Sequence, residues 1–562
     1  MYSIVRIKGL SIIGVFVLVL VVEAKAKQDT VMVISDEGPG SLRQLIADQS
    51  NAGDTIRFSS LLDGDTITLT EELIIEKDVI IIGNDSTKTI ISGGDSTRIF
   101  YVNTDTKLVI ESMSLVRGNG AGLIVGVPGR GGAIFNLGHL EVISSRMTDN
   151  NAFEGGAISS FYDTTIISNC SIIGNSAIIG GGISVIVGGY IELTNCTVNS
   201  NQSEGAGGGV HLVSSGTYCE IHASIIKGNT AGGHGGGIFN SSGARTNIYN
   251  SRIEENTALE DGGGIINFNG TTVTLTDTKV LNNSAKSGGG IYSRNNVEMY
   301  RSVVASNVCS RIGGGMYNLT SLKMNNSVFS GNKAGWFGGA VANNGPGSEI
   351  MSKNSTIAGN VSQVGGGIWN NRGHVIAANT IIAKNSDSGQ GANMTSFGSS
   401  FVTDLGNNLI GDTTGVVNRF PNSTLKGSKS NPVDPMFISD VDTAPSLSGD
   451  LRLQCASPGI DAGIIDTSGL DIGINDLIGQ SRILGQRIDI GAYENAGSRD
   501  LHVDQTSVTN GTSIFQAIDH LTSDAILNQD MIFKSGQSIS LTHGFCLSAS
   551  KMLELEIGEC ED

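Results

Sequence analysis

The side chains that could do chemistry in this 562-residue chain are few and scattered. Arg245, Arg294 and Arg372, with His234 and His374, are the candidate cations that its central part offers. Gathered in one groove beside carboxylates or calcium, such groups would neutralise a uronate and remove its neighbouring proton, the chemistry of a polysaccharide lyase. The arginines fall at offsets of +8, +4 and +5 from the nearest glycine motif, so they form no column and read as solvated loop residues. Asp440, Asp442, Asp461, Asp466, Asp471, Asp476 and Asp489 are the carboxylates that could hold calcium, without EF-hand or RTX spacing. No nucleophile elbow, phosphate loop or zinc-spaced His/Cys cluster is present. The expectation therefore leans away from an enzyme, with no catalytic residue and no cofactor other than calcium in question.

One column is more suggestive. Immediately after each glycine motif and its apolar residue come Phe135, Ser159, Ser184, His211, Phe239, Ile266, Tyr292, Tyr317, Ala342 and Trp369. If the preceding apolar residue points inward, strand alternation turns this column outward. Phe239, Tyr292, Tyr317 and Trp369 are the candidate ligand contacts, since exposed rings on a flat sheet can stack on sugars or dock a partner. The competing reading is that they pack over neighbouring coils and shield the sheet.

These residues need an element that repeats. A G-G-[GA]-apolar motif recurs ten times, with its third residue at Ala133, Ala157, Gly182, Gly209, Gly237, Gly264, Gly290, Gly315, Ala340 and Gly367. In step with it, [IVFM]-x-x-N ends at Asn150, Asn175, Asn201, Asn229, Asn256, Asn283, Asn307, Asn332, Asn360 and Asn385. A small residue follows two places later, from Ala152 to Ser362, and a Ser, Thr or Cys slot runs from Ser145 to Thr380. Spacings of 24 to 28 residues, short β-branched runs and no helical periodicity predict a solenoid of three short strands per coil of about 26 residues. Stacked coils place identical slots about 4.8 Å apart. The expected fold is an all-β, right-handed parallel β-helix with a small C-terminal β domain.

Each slot then has a physical reason. Triple glycine suits a corner with positive φ and close backbone approach. Stacked Asn amides can hydrogen-bond as a ladder, and Asn also tolerates the left-handed conformation. Cys309 occupies the small slot as a core thiol. Cys170 and Cys196 share the Ser/Thr slot on successive coils, where parallel stacking favours thiols over a bond. Among the seven cysteines, Cys546 and Cys560 are the candidate disulfide, 14 residues apart.

Composition agrees. Glycine is 78 residues, about 14%, and charged residues only 16%, since a charge repeated at one slot would face its own copy. The formal charge of −18 gives no footprint for nucleic acid. Arg6 and Lys8 precede an apolar run from Leu10 to Val22 and an Ala24-Lys25-Ala26 site, which reads as a secretory signal peptide. Cleavage would leave 32 basic and 52 acidic residues, a charge of −20, and no later segment able to span a membrane as a helix. Ser41 reads as the N-cap of a short helix with Leu42, Leu45 and Ile46 on one side, a lid for the first coil.

The GSLRQLI, AGDTI and GDTITLT opening, the GGGI/IxxN array and the closing SPGIDAG and DIGAYE segments resemble bacterial secreted right-handed β-helix proteins of the choice-of-anchor Q type, over residues 36–494. The array is also similar to the GGAI/FxxN repeats of polymorphic outer-membrane adhesins, and KSGQSISLTHGF resembles a three-coathanger-stack β domain. The expected organisation is a signal peptide (1–26), N-terminal cap and first coils (27–120), regular repeats (121–400), C-terminal coils and cap (401–499) and the small β domain (500–562). These resemblances imply a secreted or cell-surface adhesion or glycan-binding module. A polysaccharide lyase or hydrolase with a pectin-lyase-type fold, and a structural spacer, are the alternatives.

Overall fold

The structure, a computed structural model, describes residues 28–48, 53–120, 129–269, 272–388, 391–416, 420–439, 450–454, 456–464, 475–482 and 487–495, and the backbone of strands between 498 and 557. The proposed signal segment, Asp440, Asp442, Asp466, Asp471 and Cys560 lie outside the described residues, as does the side chain of Cys546.

One coil shows how the repeat folds. Strands Ile158–Phe161, Thr164–Ser168 and Ser171–Ile173 are followed by a further short strand, Ser176–Ile179, and the chain then turns through Gly180, Gly181 and Gly182. Strand Ile183–Ile186 lands beside Ile158–Phe161 in parallel register. Repetition builds a glycine-led sheet of 13 strands, second and third sheets of 15 strands each, and a fourth of 8 short strands. The fold is a parallel β-helix, right-handed as crossovers between parallel strands are. The fourth strand was not among the three per coil expected from sequence. It forms because the small slot lets Ala177 turn inward, which leaves the flanking residues extended enough to pair with the next coil.

Alternation along each strand sends Ile158, Ile167 and Ile172, and their copies from coil to coil, into one continuous core. At the N-terminal end, helix Leu42–Ala47 is capped by Ser41 and lays Leu42, Leu45 and Ile46 on that core. A fully buried ion pair between Arg98 and Glu72 ties the opening coils together.

The glycine corner divides its labour. Gly155 has φ of +67°, a conformation that L side chains rarely adopt. A Cβ on Gly156 would meet the carbonyl oxygen of Gly181 at 2.1 Å. The third position alone admits the methyl of Ala133, Ala157 and Ala340, each fully buried.

The Asn ladder is continuous. Each side-chain amide from Asn150 to Asn360 donates to the side-chain oxygen of the Asn one coil on, at 2.9–3.0 Å. The expectation that these Asn residues use the left-handed region is corrected. That conformation belongs to the residue before, such as Asp149, Ser200 and Glu255, or to Gly174 and Gly228. The bend has to precede the ladder residue so that its amide can turn into the corner. Cys170, Cys196, Cys219 and Cys309 are free and buried, and the Ser145 N–H donates to Cys170 Sγ at 3.3 Å as others in that column donate to hydroxyls.

Beyond Asn385 one more coil, Met394–Phe397, Phe401–Asp404 and Leu409–Ile410, stacks in parallel on the three main sheets, and a cap follows it. Asp489 accepts the N–H groups of Asp461 (2.7 Å) and Asn495 (2.8 Å), so the DIGAYE segment locks the SPGIDAG loop. From Ser498 to Ile557 the backbone forms further strands that pair with one another in parallel.

Candidate functional site

The aromatic column lies on the outer side of the glycine-led sheet. Strand pairing aligns Phe135, Ser159, Ser184, His211, Phe239, Ile266, Tyr292, Tyr317, Ala342 and Trp369 in one register. Phe239 and Tyr317 are half-buried, whereas Tyr292 (5% exposed) and Trp369 (8%) are buried among neighbouring rings. Tyr292 meets Tyr317 edge-on at 5.2 Å, Phe337 stacks on Trp369 at 4.6 Å, and Phe397 follows at 6.4 Å.

Two features make this strip more than padding. Arg294 lies over Phe268 at 4.3 Å, a guanidinium laid against its aromatic end, and Arg311, from the fourth sheet beside the corner, lies over the exposed ring of Trp336 at 4.8 Å. Among the described residues the buried indole N–H of Trp369 has no acceptor and the hydroxyl of Ser159 has no partner. A buried polar atom without a partner is costly and points to water or a ligand.

At the N-terminal end the strip becomes polar, through Ser184 and His211 of the column and through Arg130 and Glu154, which motif reading passed over. Arg130 pairs with Glu154 at 3.3 Å and lies over Phe161 at 4.4 Å. Glu154 accepts the hydroxyl of Ser184 at 3.0 Å, and Ser184 meets Nδ1 of His211 at 3.1 Å. Burial raises the Glu154 pKa and pushes that of His211 down to about 4, so the imidazole is neutral. The readable signal was a charge directly before the Gly-Gly pair in two successive repeats, GRGGA and FEGGA.

The central cations do not converge. Arg245 and His374 open strands of the second sheet, where His374 stacks on Phe401 at 4.0 Å, and Arg372 follows a strand of the glycine-led sheet. His234 faces Asp261 at 3.6 Å. Asp476 and Asp489 direct their oxygens to backbone N–H groups of the cap, and the Asp461 N–H is one of those donors. Among the described residues no group of three or more His, Cys, Asp or Glu is placed to hold a metal ion.

No protein family and no curated protein matches the chain. Several solved structures are similar to it, two of them lyases by name. Those two are pectate lyase Pel9A, at 14% identity and TM-score 0.32 over 84% of this chain and 98% of that one, and a mutant of the PL6 family alginate lyase AlyGC, at 11% and 0.38 over 93% and 75%. The likeness is one of fold.

Proposed function

We propose that this chain is an exported, non-enzymatic β-helix that binds glycans along the outer side of its glycine-led sheet. The observation that carries the reading is two groups of aromatic rings along this side, Phe268 with Tyr292 and Tyr317 and then Phe337 with Trp369 and Phe397, with Arg294 against the first and an indole N–H of Trp369 in the second that has no acceptor among the described residues. Rings supply flat apolar faces for sugar rings, and polar atoms without protein partners supply direction. The solenoid repeats this chemistry at one strand spacing, the scale on which a polymer can be followed.

Arg245, Arg294 and Arg372 are not assembled with carboxylates into one cluster, which favours binding over elimination chemistry. A glycan array tests the reading, with an unsaturated-uronate absorbance assay beside it. Binding that Tyr317→Ala and Trp336→Ala abolish together, without uronate cleavage, is the expected result. Binding unchanged in that double variant removes the strip as the binding surface, and uronate cleavage removes the non-enzymatic reading.

A further inference from the structure

We infer that Nε2 of His211 is an acceptor subsite for the hydroxyl of a neutral sugar, its polarity set by Arg130, Glu154 and Ser184; this rests on the glycan-binding reading above.

The argument follows protons. Burial raises the Glu154 pKa, but the carboxyl faces the guanidinium of Arg130 at 3.3 Å and takes the hydroxyl of Ser184, both of which favour the ionised form, and a carboxylate can only accept. Ser184 has one hydroxyl proton, and it goes to Glu154 at 3.0 Å. The contact of 3.1 Å between Ser184 Oγ and His211 Nδ1 must then be made by the imidazole's own proton. A neutral ring has one N–H, so Nε2 carries a bare lone pair. Burial supports the neutral form by pushing the His211 pKa down to about 4.

Nε2 has no partner among the described residues, and it is not among their fully buried atoms that lack one. His211 is 8% exposed, and its ring is stacked on Phe239 at 5.1 Å, which fixes its plane. A hydroxyl or amide N–H satisfies the lone pair. A uronate carboxylate arriving there would oppose acceptor to acceptor in a chain of formal charge −18. The subsite therefore selects uncharged, hydroxyl-bearing sugars at this end of the strip, while Arg294 and Arg311 lie towards the other.

The first test needs no ligand. Long-range 1H–15N correlation on the full chain with 15N-labelled histidine should show His211 protonated at Nδ1 and bare at Nε2, and Ser184→Ala should abolish that fixed pattern. A proton on Nε2 in the unaltered protein overturns the inference. In the second test, cellohexaose, xylohexaose and mannohexaose are titrated beside oligogalacturonate and alginate hexamers. His211→Phe keeps a ring in a column that already holds Phe135 and Phe239, and it should weaken the best neutral hexamer about tenfold, the loss of roughly one hydrogen bond. His211→Gln, which restores an acceptor oxygen, should recover part of it. Equal affinity in His211→Phe, or preference for the uronates, overturns the subsite and leaves the strip as a glycan surface. Absence of binding to all five, with none on the array, overturns the glycan reading and the subsite with it.

Discussion

The side-chain oxygen of Asn307 receives two hydrogen bonds from Asn283, one from its amide Nδ2 and one from its backbone N–H, both at 2.9 Å. The same double contact joins Asn256 to Asn283 and Asn229 to Asn256. Each ladder Asn also donates to a carbonyl on the paired strand one coil back, as Asn283 does to Ile253. Every polar atom in this buried column is matched, and the match repeats because the coils do.

Replacing a mid-ladder residue should therefore cost more than one hydrogen bond. Asn283→Ala deprives both donors of Asn256 and removes the side-chain donor to the Ile253 carbonyl. A loss of about 2–4 kcal/mol is expected, read as a shift in guanidinium midpoint. A change below 0.5 kcal/mol, roughly the level of an indifferent surface substitution, would show that water replaces the amide without penalty.

The buried thiols should be silent in the native state. Burial raises Cys170 and Cys309 to about 12 and Cys196 to about 11, and Cys219 higher still. The thiolate is the reactive form, so iodoacetamide at pH 8 should leave all four unlabelled until the protein is unfolded. Cys170→Ser and Cys196→Ser should each change stability by less than about 1 kcal/mol, because Ser fills the same slot at Ser145 and Ser224 and burying a hydroxyl is neutral when it is bonded.

The C-terminal cap should weaken as pH rises. Burial first, then repulsion from Asp489, lifts the Glu494 carboxyl to about 9, and Arg482, its buried neighbour at 3.6 Å, offsets only part of this. The folded state thus holds a proton that the unfolded chain releases near pH 4.5. The stabilisation is complete below that pH, declines through neutrality and is gone above about 9. Limited proteolysis between pH 5 and 10 should show the cap opening at the alkaline end. Glu494→Gln, neutral throughout, should flatten the profile; an unaltered slope would assign it to other groups.

In the aromatic strip, stability and binding should separate by burial. Trp369→Ala empties a buried site and should cost about 3–5 kcal/mol. Trp369→Phe keeps most of the packing against Phe337 and removes only the unpartnered N–H. It should leave the melting temperature near that of the unaltered protein and weaken glycan binding several-fold in calorimetry. Full binding by Trp369→Phe would mean that the indole N–H faces water and no ligand.

Much of this architecture was legible in the residues themselves. A solenoid writes each layer of its core at a fixed period, so the glycine corner, the Asn ladder from Asn150 and the Ser/Thr/Cys slot could be read one by one, and stacking at one strand spacing explains each. What sequence could not decide is which slots meet across a corner. Arg130 and Glu154 stand directly before Gly-Gly, whereas Ser184 and His211 stand just after the motif, in later repeats. Only the left-handed turn at residues such as Gly155 folds the first slot against the second and joins all four into one polar relay. The same holds for the rings. Alternation put Tyr292 and Trp369 on the outer side of the sheet, but whether that side is open depends on neighbours such as Phe337, which arrives from the corner and closes over Trp369. Periodic backbone pairing is a local, additive property that a repeat records in its slots; burial of an outer surface is a sum over side chains from several coils, and only the assembled structure performs it.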